Sequence, residues 1–168
     1  MKQLWAPWRK SYVQRTDDAR SADSCFLCTA ATHVGPDQTC LVLATTEHSF
    51  VMLNRYPYAS GHIMVCPRRH VASLADLRSE EYADMMELLR RSVTAIDDVF
   101  TPQGCNVGMN LGTAAGAGVP GHVHAHIVPR WEGDTNFMSV VSDTRVISDD
   151  LTTTWTTLVD WFTTHKKR

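Results

Sequence analysis

The chain has no apolar run approaching the roughly 18 residues needed to cross a bilayer. Its opening, Met1-Lys2-Gln3-Leu4-Trp5-Ala6-Pro7-Trp8, carries no hydrophobic export segment. A cytoplasmic protein without a membrane partner is expected. A dominant charge is lacking too: 16 Lys and Arg face 18 Asp and Glu, a net charge of -2. That balance does not select nucleic acid as a partner, so any anionic ligand has to be held by a local site. Internal repeats are absent, and the five cysteines are an odd number, which argues against a disulfide framework. Two of them stand as Cys25-Phe26-Leu27-Cys28, a spacing suited to metal or redox use in a reducing compartment. At 168 residues and 43% hydrophobic, the chain fits one globular domain with a real core and leaves no room for two.

What is present is a succession of short β-prone runs and two helical patterns. Residues 41–44 and 49–53 predict a hairpin around Thr45-Thr46-Glu47-His48. A third strand follows over residues 62–66, ended by Pro67. From Ser79 as N-cap, Met85, Leu89, Val93, Ile96 and Phe100 recur every three or four residues, predicting an amphipathic helix of about 20 residues whose stripe is core. Pro102 and Gly104 close it. Residues 105–111 and 122–128 add two strands, and residues 149–166 space Leu151, Trp155, Leu158, Val159 and Phe162 as a helix, although threonines weaken its propensity. The layout is α+β, mainly antiparallel strands with one or two helices on a face. Residues 1–24 read as an aromatic arm and polar loop, 25–137 as the core and 138–168 as a C-terminal extension of a single domain 1–168. Trp5 and Trp8 are expected to pack on the body or a second subunit. Cys40, Cys66 and Cys105 read as core residues, Arg68 and Arg69 as a phosphate site or a solvated pair, and His48 and His165 as surface.

The chemistry concentrates in His122-Val123-His124-Ala125-His126-Ile127-Val128, just after the glycine-rich stretch from Leu111 through Gly112, Gly116 and Gly118 to Gly121. On a strand, alternate side chains share a face at roughly 7 Å spacing, so one face is all imidazole and the other apolar. Folding alone does not select that pattern, because each buried imidazole needs a hydrogen-bond partner. Three readings compete. A neutral imidazole attacks phosphorus while its neighbours stabilise charge; the imidazoles share a metal ion; or they are exposed on an edge strand. The glycine loop favours the first, since its N–H groups can approach phosphate oxygens. The nearest carboxylates, Glu132 and Asp134, lie beyond Pro129 and Arg130, which weakens a hydrolytic metal centre.

Alternation of three histidines with apolar residues, closed by two more apolar residues, resembles the signature of the histidine-triad (HIT) nucleotide-binding proteins, and His122 to Val128 match it throughout. Asn54 eight residues before Gly61-His62 is similar to the family's ribose-contacting strand and fourth histidine, and Asn110-Leu111-Gly112 to the start of its phosphate loop. The arm from Leu4 to Arg9 and the run from Pro129 to Phe137 look like the bacterial branch related to diadenosine tetraphosphate phosphorylases. The resemblance implies a HIT-like fold: a five-stranded antiparallel sheet with a long helix and a C-terminal helix, dimerising into a continuous sheet. It implies His124 as a nucleophile forming a nucleotidyl-histidine intermediate, with His126 and His62 on the phosphate or leaving group. Asn54 would bind ribose, Phe50 and Met52 would wall a base pocket, and Asn110, Gly112, Gly116 and Gly118 would line the phosphate loop. A free imidazole titrating near 6.5 is already a competent nucleophile at neutral pH. Many hydrolytic relatives carry a glutamine where this chain has Gly116-Ala117-Gly118-Val119. The resulting space favours inorganic phosphate over water as acceptor.

Two thiols supply half of a tetrahedral zinc shell. In some family members the rest comes from a histidine after the third strand and the first of the triad, which implies structural Zn2+ on Cys25, Cys28, His70 and His122. His33 is the rival ligand. The leading expectation is therefore a nucleotidyl hydrolase or transferase cleaving a nucleoside polyphosphate, of dinucleoside type, at the α-phosphate. Its rivals are a nucleotide-binding or sensing module with little catalysis, and metal-dependent hydrolysis at the triad.

Overall fold

The computed structural model describes residues 25–134 and 150–165. The arm with Trp5 and Trp8, the polar loop 14–24 and the Thr135-Asn136-Phe137 end of the resemblance lie outside the described residues. The elements are α1 (Phe26–Ala31), β1 (Val42–Thr45), β2 (Ser49–Leu53), β3 (Ile63–Pro67), α2 (Ser79–Phe100), β4 (Gly104–Met109), β5 (Ala125–Arg130) and α3 (Leu151–Thr164). The strands form one five-stranded sheet in the order β1-β2-β3-β5-β4, antiparallel throughout. This is the α+β architecture that the patterning and the resemblance imply.

Both faces of the sheet centre are covered, so β2 and β3 are buried at every position and read as continuous apolar runs. Alternation still decides which face each residue serves. Val51, Leu53, Ile63, Val65, Ala125 and Ile127 face α2 and α3, packing on Met85, Leu88, Ile96, Leu158, Trp161 and Phe162. Phe50, Met52, Met64 and Cys66 face the other way, onto Cys25, Leu27, Ala30 and Ala31 of the α1 region. His126 is the cross-strand partner of Met64, so the triad belongs to this second face.

The long helix forms as its spacing predicts but begins one residue earlier than expected. Arg78, not Ser79, is the N-cap, and its backbone N–H donates to Glu81 Oε2 at 2.9 Å. The buried stripe is also rotated: Met85, Leu88, Ser92, Ala95 and Ile96 are buried, whereas Leu89 and Val93 flank it. Packing against both the sheet and α3 widens the buried stripe around Leu88. Arg69 is a partly exposed cation that is paired. It donates through Nε and Nη2 to the buried Glu81 carboxylate at 2.8 and 2.6 Å, tying the chain after β3 to the start of α2.

α3 forms despite its threonines. Asp150 caps it by accepting from Thr153 N–H. Thr156 and Thr157 return their hydroxyls to the carbonyls one turn back, and burial of Leu158, Trp161 and Phe162 outweighs the remaining propensity cost. His165, expected at the surface, is half-buried and stacks on Trp161 at 4.6 Å. Cys66 is core as expected, but Cys40 and Cys105 are only half-buried. Cys105 lies on the edge strand β4, and Cys40 in the turn before β1.

Candidate active site and metal cluster

The triad does not sit on one uninterrupted strand. β5 begins at Ala125, so only His126 occupies the ladder. His122 still belongs to the turn that precedes it, its N–H donating to Val119 O at 3.2 Å. The turn lets the His122 ring point to Cys25 and Cys28 instead of joining His124 and His126.

His124, His126 and His62 come together. The ring centroids of His124 and His126 lie 4.8 Å apart, those of His62 and His126 5.2 Å. Hydrogen-bond partners fix their tautomers. His124 Nδ1 lies 2.8 Å from the His122 carbonyl; a carbonyl only accepts, so Nδ1 carries the proton and Nε2 keeps its lone pair. The backbone N–H of Tyr58 donates to His62 Nδ1 at 3.1 Å, which places the His62 proton on Nε2. That N–H meets His126 Nδ1 at 3.0 Å, leaving Nε2 as the proton-bearing nitrogen of His126. A lone pair on His124 Nε2 thus stands beside an N–H donor on His126.

Burial disfavours the charged form of His62 and of His124. His62, 1% exposed, is pushed down to about 3, chiefly by desolvation and then by the neighbouring His126 and His124. Desolvation lowers His124 as well, partly offset by the His122 carbonyl. A neutral nucleophile with an N–H donor beside it can attack phosphorus and stabilise charge on the phosphoryl oxygens.

Asn54 is placed at the rim by its Oδ1, which accepts from Tyr56 N–H at 2.9 Å, leaving its Nδ2 3.5 Å from His62 Nε2. Phe50 is fully buried and Met52 almost so, both in the layer beneath α1. Asn110 and Gly118 are half-buried, and Gly112 and Gly116 are exposed. Gly116 adopts φ +84 as it closes a one-turn 3-10 helix over Thr113–Ala115, a conformation that favours glycine. Gly61 is required for two reasons: its φ is +78, and an added Cβ would meet Phe100 at 3.0 Å and Pro129 at 3.2 Å. That close approach sets the turn from which His62 enters the site.

Cys25, Cys28, His70 and His122 form a cluster whose ligand atoms all lie within 4.8 Å of one another. His122 Nδ1 is 3.5 Å from each sulfur, and His70 Nδ1 3.1 Å from Cys28 Sγ. His122 Nε2–H donates to Pro67 O at 2.8 Å, so its Nδ1 lone pair is aimed between the thiols, the orientation a metal-binding imidazole takes from its outer hydrogen bond. The four can hold a metal ion, and two sulfurs with two imidazoles suit zinc. His33 is not part of this cluster; its Nδ1 lies 3.3 Å from Asp37 Oδ2. Sequence reasoning missed Tyr58 N–H and the Pro67 carbonyl, because backbone groups carry no residue-type signal. The Tyr58 ring, 4.7 Å from that of His62, was visible only as one of several aromatics in a turn.

Fold and site together define a small α+β domain with three clustered imidazoles beside a Cys2His2 cluster. Residues 36–133 match the HIT domain, and the chain belongs to that family. It is 37% identical over 155 residues to AP-4-A phosphorylase of Mycobacterium tuberculosis, a match covering 88% of this chain and 77% of that protein. It is also 37% identical over 93 residues to the bis(5'-adenosyl)-triphosphatase of Dictyostelium discoideum, covering 55% and 62%. Among solved structures, a Zn-bound histidine triad family protein from Mycobacterium smegmatis superposes with a TM-score of 0.68 at 24% identity, covering 87% of this chain and 98% of that one.

Proposed function

We propose that the protein is a nucleotidyl transferase that opens a dinucleoside polyphosphate at the α-phosphate through a nucleotidyl-histidine intermediate on His124. The observation that carries this reading is the tautomer lock: His124 Nδ1–H is committed to the His122 carbonyl at 2.8 Å, so the attacking lone pair on Nε2 is set before substrate arrives. In the first step the Nε2–P bond forms and the P–O bond to the departing polyphosphate breaks. The departing group, a phosphate with a last pKa of about 6, leaves without needing a proton. His126 Nε2–H and the loop N–H groups around Gly112, Gly116 and Gly118 stabilise charge on the phosphoryl oxygens, and Asn54 takes the ribose. Phe50 supports the base pocket from beneath, with Met52 as its nearer wall. In the second step an oxygen of inorganic phosphate attacks phosphorus, the N–P bond breaks, and a nucleoside diphosphate departs. The glycine-lined loop and the likeness to a phosphorylase support phosphate as acceptor over water.

Zn2+ on Cys25, Cys28, His70 and His122 is read as structural, pinning α1 to the segment that delivers His124. The protein is read as a homodimer joined along β4, the edge strand, which leaves Val107 49% exposed. No helix among the described residues is long and apolar enough to cross a membrane. Incubation with a dinucleoside tetraphosphate, with and without inorganic phosphate, tests the reading by product identity. Nucleoside diphosphate and triphosphate appearing only with phosphate is the expected result. Monophosphate formed without phosphate would reassign the acceptor to water, and a tight complex with no product would make the protein a nucleotide sensor.

A further inference from the structure

A second group of metal-type ligands lies outside the Cys2His2 cluster and takes no part in the proposed reaction. His33 Nδ1, an Asp37 carboxylate oxygen and Cys40 Sγ lie within 4.8 Å of one another, all three residues half-buried. The frame beneath them is rigid. Asp37 and Val42 exchange both backbone hydrogen bonds, at 2.9 and 2.8 Å, closing a tight turn. Asp37 Oδ1 is occupied inside that turn, accepting from Cys40 N–H at 2.8 Å and Thr39 Oγ1 at 2.6 Å. The other oxygen, Oδ2, faces His33. Leu41, buried at the end of the turn, holds the left-handed φ of +61, a conformation a branched side chain adopts only where its surroundings impose it. His33 enters just past the C-cap of α1, its backbone N–H donating to Ala30 O.

We infer that His33, Asp37 and Cys40 form a second divalent-metal site, an open three-ligand site for zinc-like ions. Imidazole, carboxylate and thiolate together match zinc and exclude the all-oxygen preference of calcium and magnesium. Ligand atoms around tetrahedral zinc stand about 3.5 Å apart, so closing the site needs contraction of about 1 Å, not rebuilding. Three protein ligands leave a fourth position for water or an exchangeable group, the arrangement of zinc sites that are not purely structural. Binding replaces the Cys40 thiol proton, which is released to solvent. The site adjoins the nucleotide rim: Arg55, next to Asn54, donates from Nη2 to the Thr39 carbonyl at 3.3 Å.

The test uses the full chain and Zn2+ alone. After equilibrium dialysis against micromolar Zn2+, metal per chain is counted by mass spectrometry for the wild type, Cys40→Ser, His33→Ala and Asp37→Asn. The last keeps an oxygen acceptor for Thr39 and Cys40, so it preserves the turn while removing the anionic ligand. In parallel, alkylation of Cys40 is followed by peptide mapping with and without Zn2+. Loss of one equivalent in each variant is expected, with Cys40 alkylation slowed by Zn2+ at least about tenfold in the wild type and unslowed in His33→Ala and Asp37→Asn. Metal counts equal to wild type, or Cys40 alkylation indifferent to Zn2+, would overturn the site and leave His33 and Asp37 as an ion pair.

Discussion

The two faces of the sheet are built to opposite rules from the same strands. One face meets α2 and α3 with Val51, Leu53, Ile63, Val65, Ala125 and Ile127, with the Cys105 thiol at its β4 edge. The other, beneath α1, carries His126 in the ladder, with His62, His124 and the Cys2His2 cluster around it. Buried polar groups survive there because each has a fixed partner: a carbonyl, a backbone N–H or another imidazole. The large apolar core lies on one face and the imidazole and thiol groups cluster on the other, separated by one strand thickness.

The sharpest way to break that division is His124→Ala. It should lower turnover of a dinucleoside tetraphosphate by at least about a thousandfold while the thermal midpoint stays near wild type. A comparable rate in the variant would remove His124 as nucleophile. Leu158→Ala, fully buried on the opposite face, should do the reverse. Urea unfolding should show a loss of about 2–4 kcal/mol, with kcat per folded molecule unchanged. Cys28→Ser, or chelation, tests whether the cluster serves structure. The unfolding temperature should fall by several degrees, about 1–3 kcal/mol, before the initial rate declines. A rate that collapses first would place the metal in the chemistry. The smallest effect belongs to Glu81→Gln. Arg69, then Arg78, holds the Glu81 carboxyl far below its ordinary 4.5, so the wild-type advantage is fully present above about pH 4.5 and fades as pH falls below it. An advantage of about 1–2 kcal/mol near neutrality is expected, after allowing for the solvent exposure of both guanidinium groups. It is measured by denaturation of both proteins across pH.

Most of the scaffold was legible in local pattern. Short β-prone runs marked β1 to β3, three-and-four spacing marked α2, and the glycine-rich stretch marked the turn before β5. Errors fell where a tertiary partner decides. Arg78 took the N-cap because Glu81 reaches back to its backbone, and Leu88 entered the core because the long helix packs against the sheet and α3 together, which one helix's pattern does not show. Imidazole spacing located the candidate site, but which histidines cluster together depends on the turn at Val119 that directs His122 to the thiols. Carbonyl and N–H partners at Pro67 and Tyr58 fix the tautomers, and no residue-type pattern encodes them.

β3 joins the clustered imidazoles to the Cys2His2 cluster at its two ends. His62 immediately precedes it, and Pro67, its last residue, supplies the carbonyl that orients His122. Five residues at about 3.3 Å each make a ruler of about 16 Å. A slip of one residue between β3 and its neighbours would turn His62 toward the dry face and withdraw the Pro67 oxygen from His122 in the same event. A misregistered chain would therefore lose the His62–His126 contact and the His122–Pro67 hydrogen bond together.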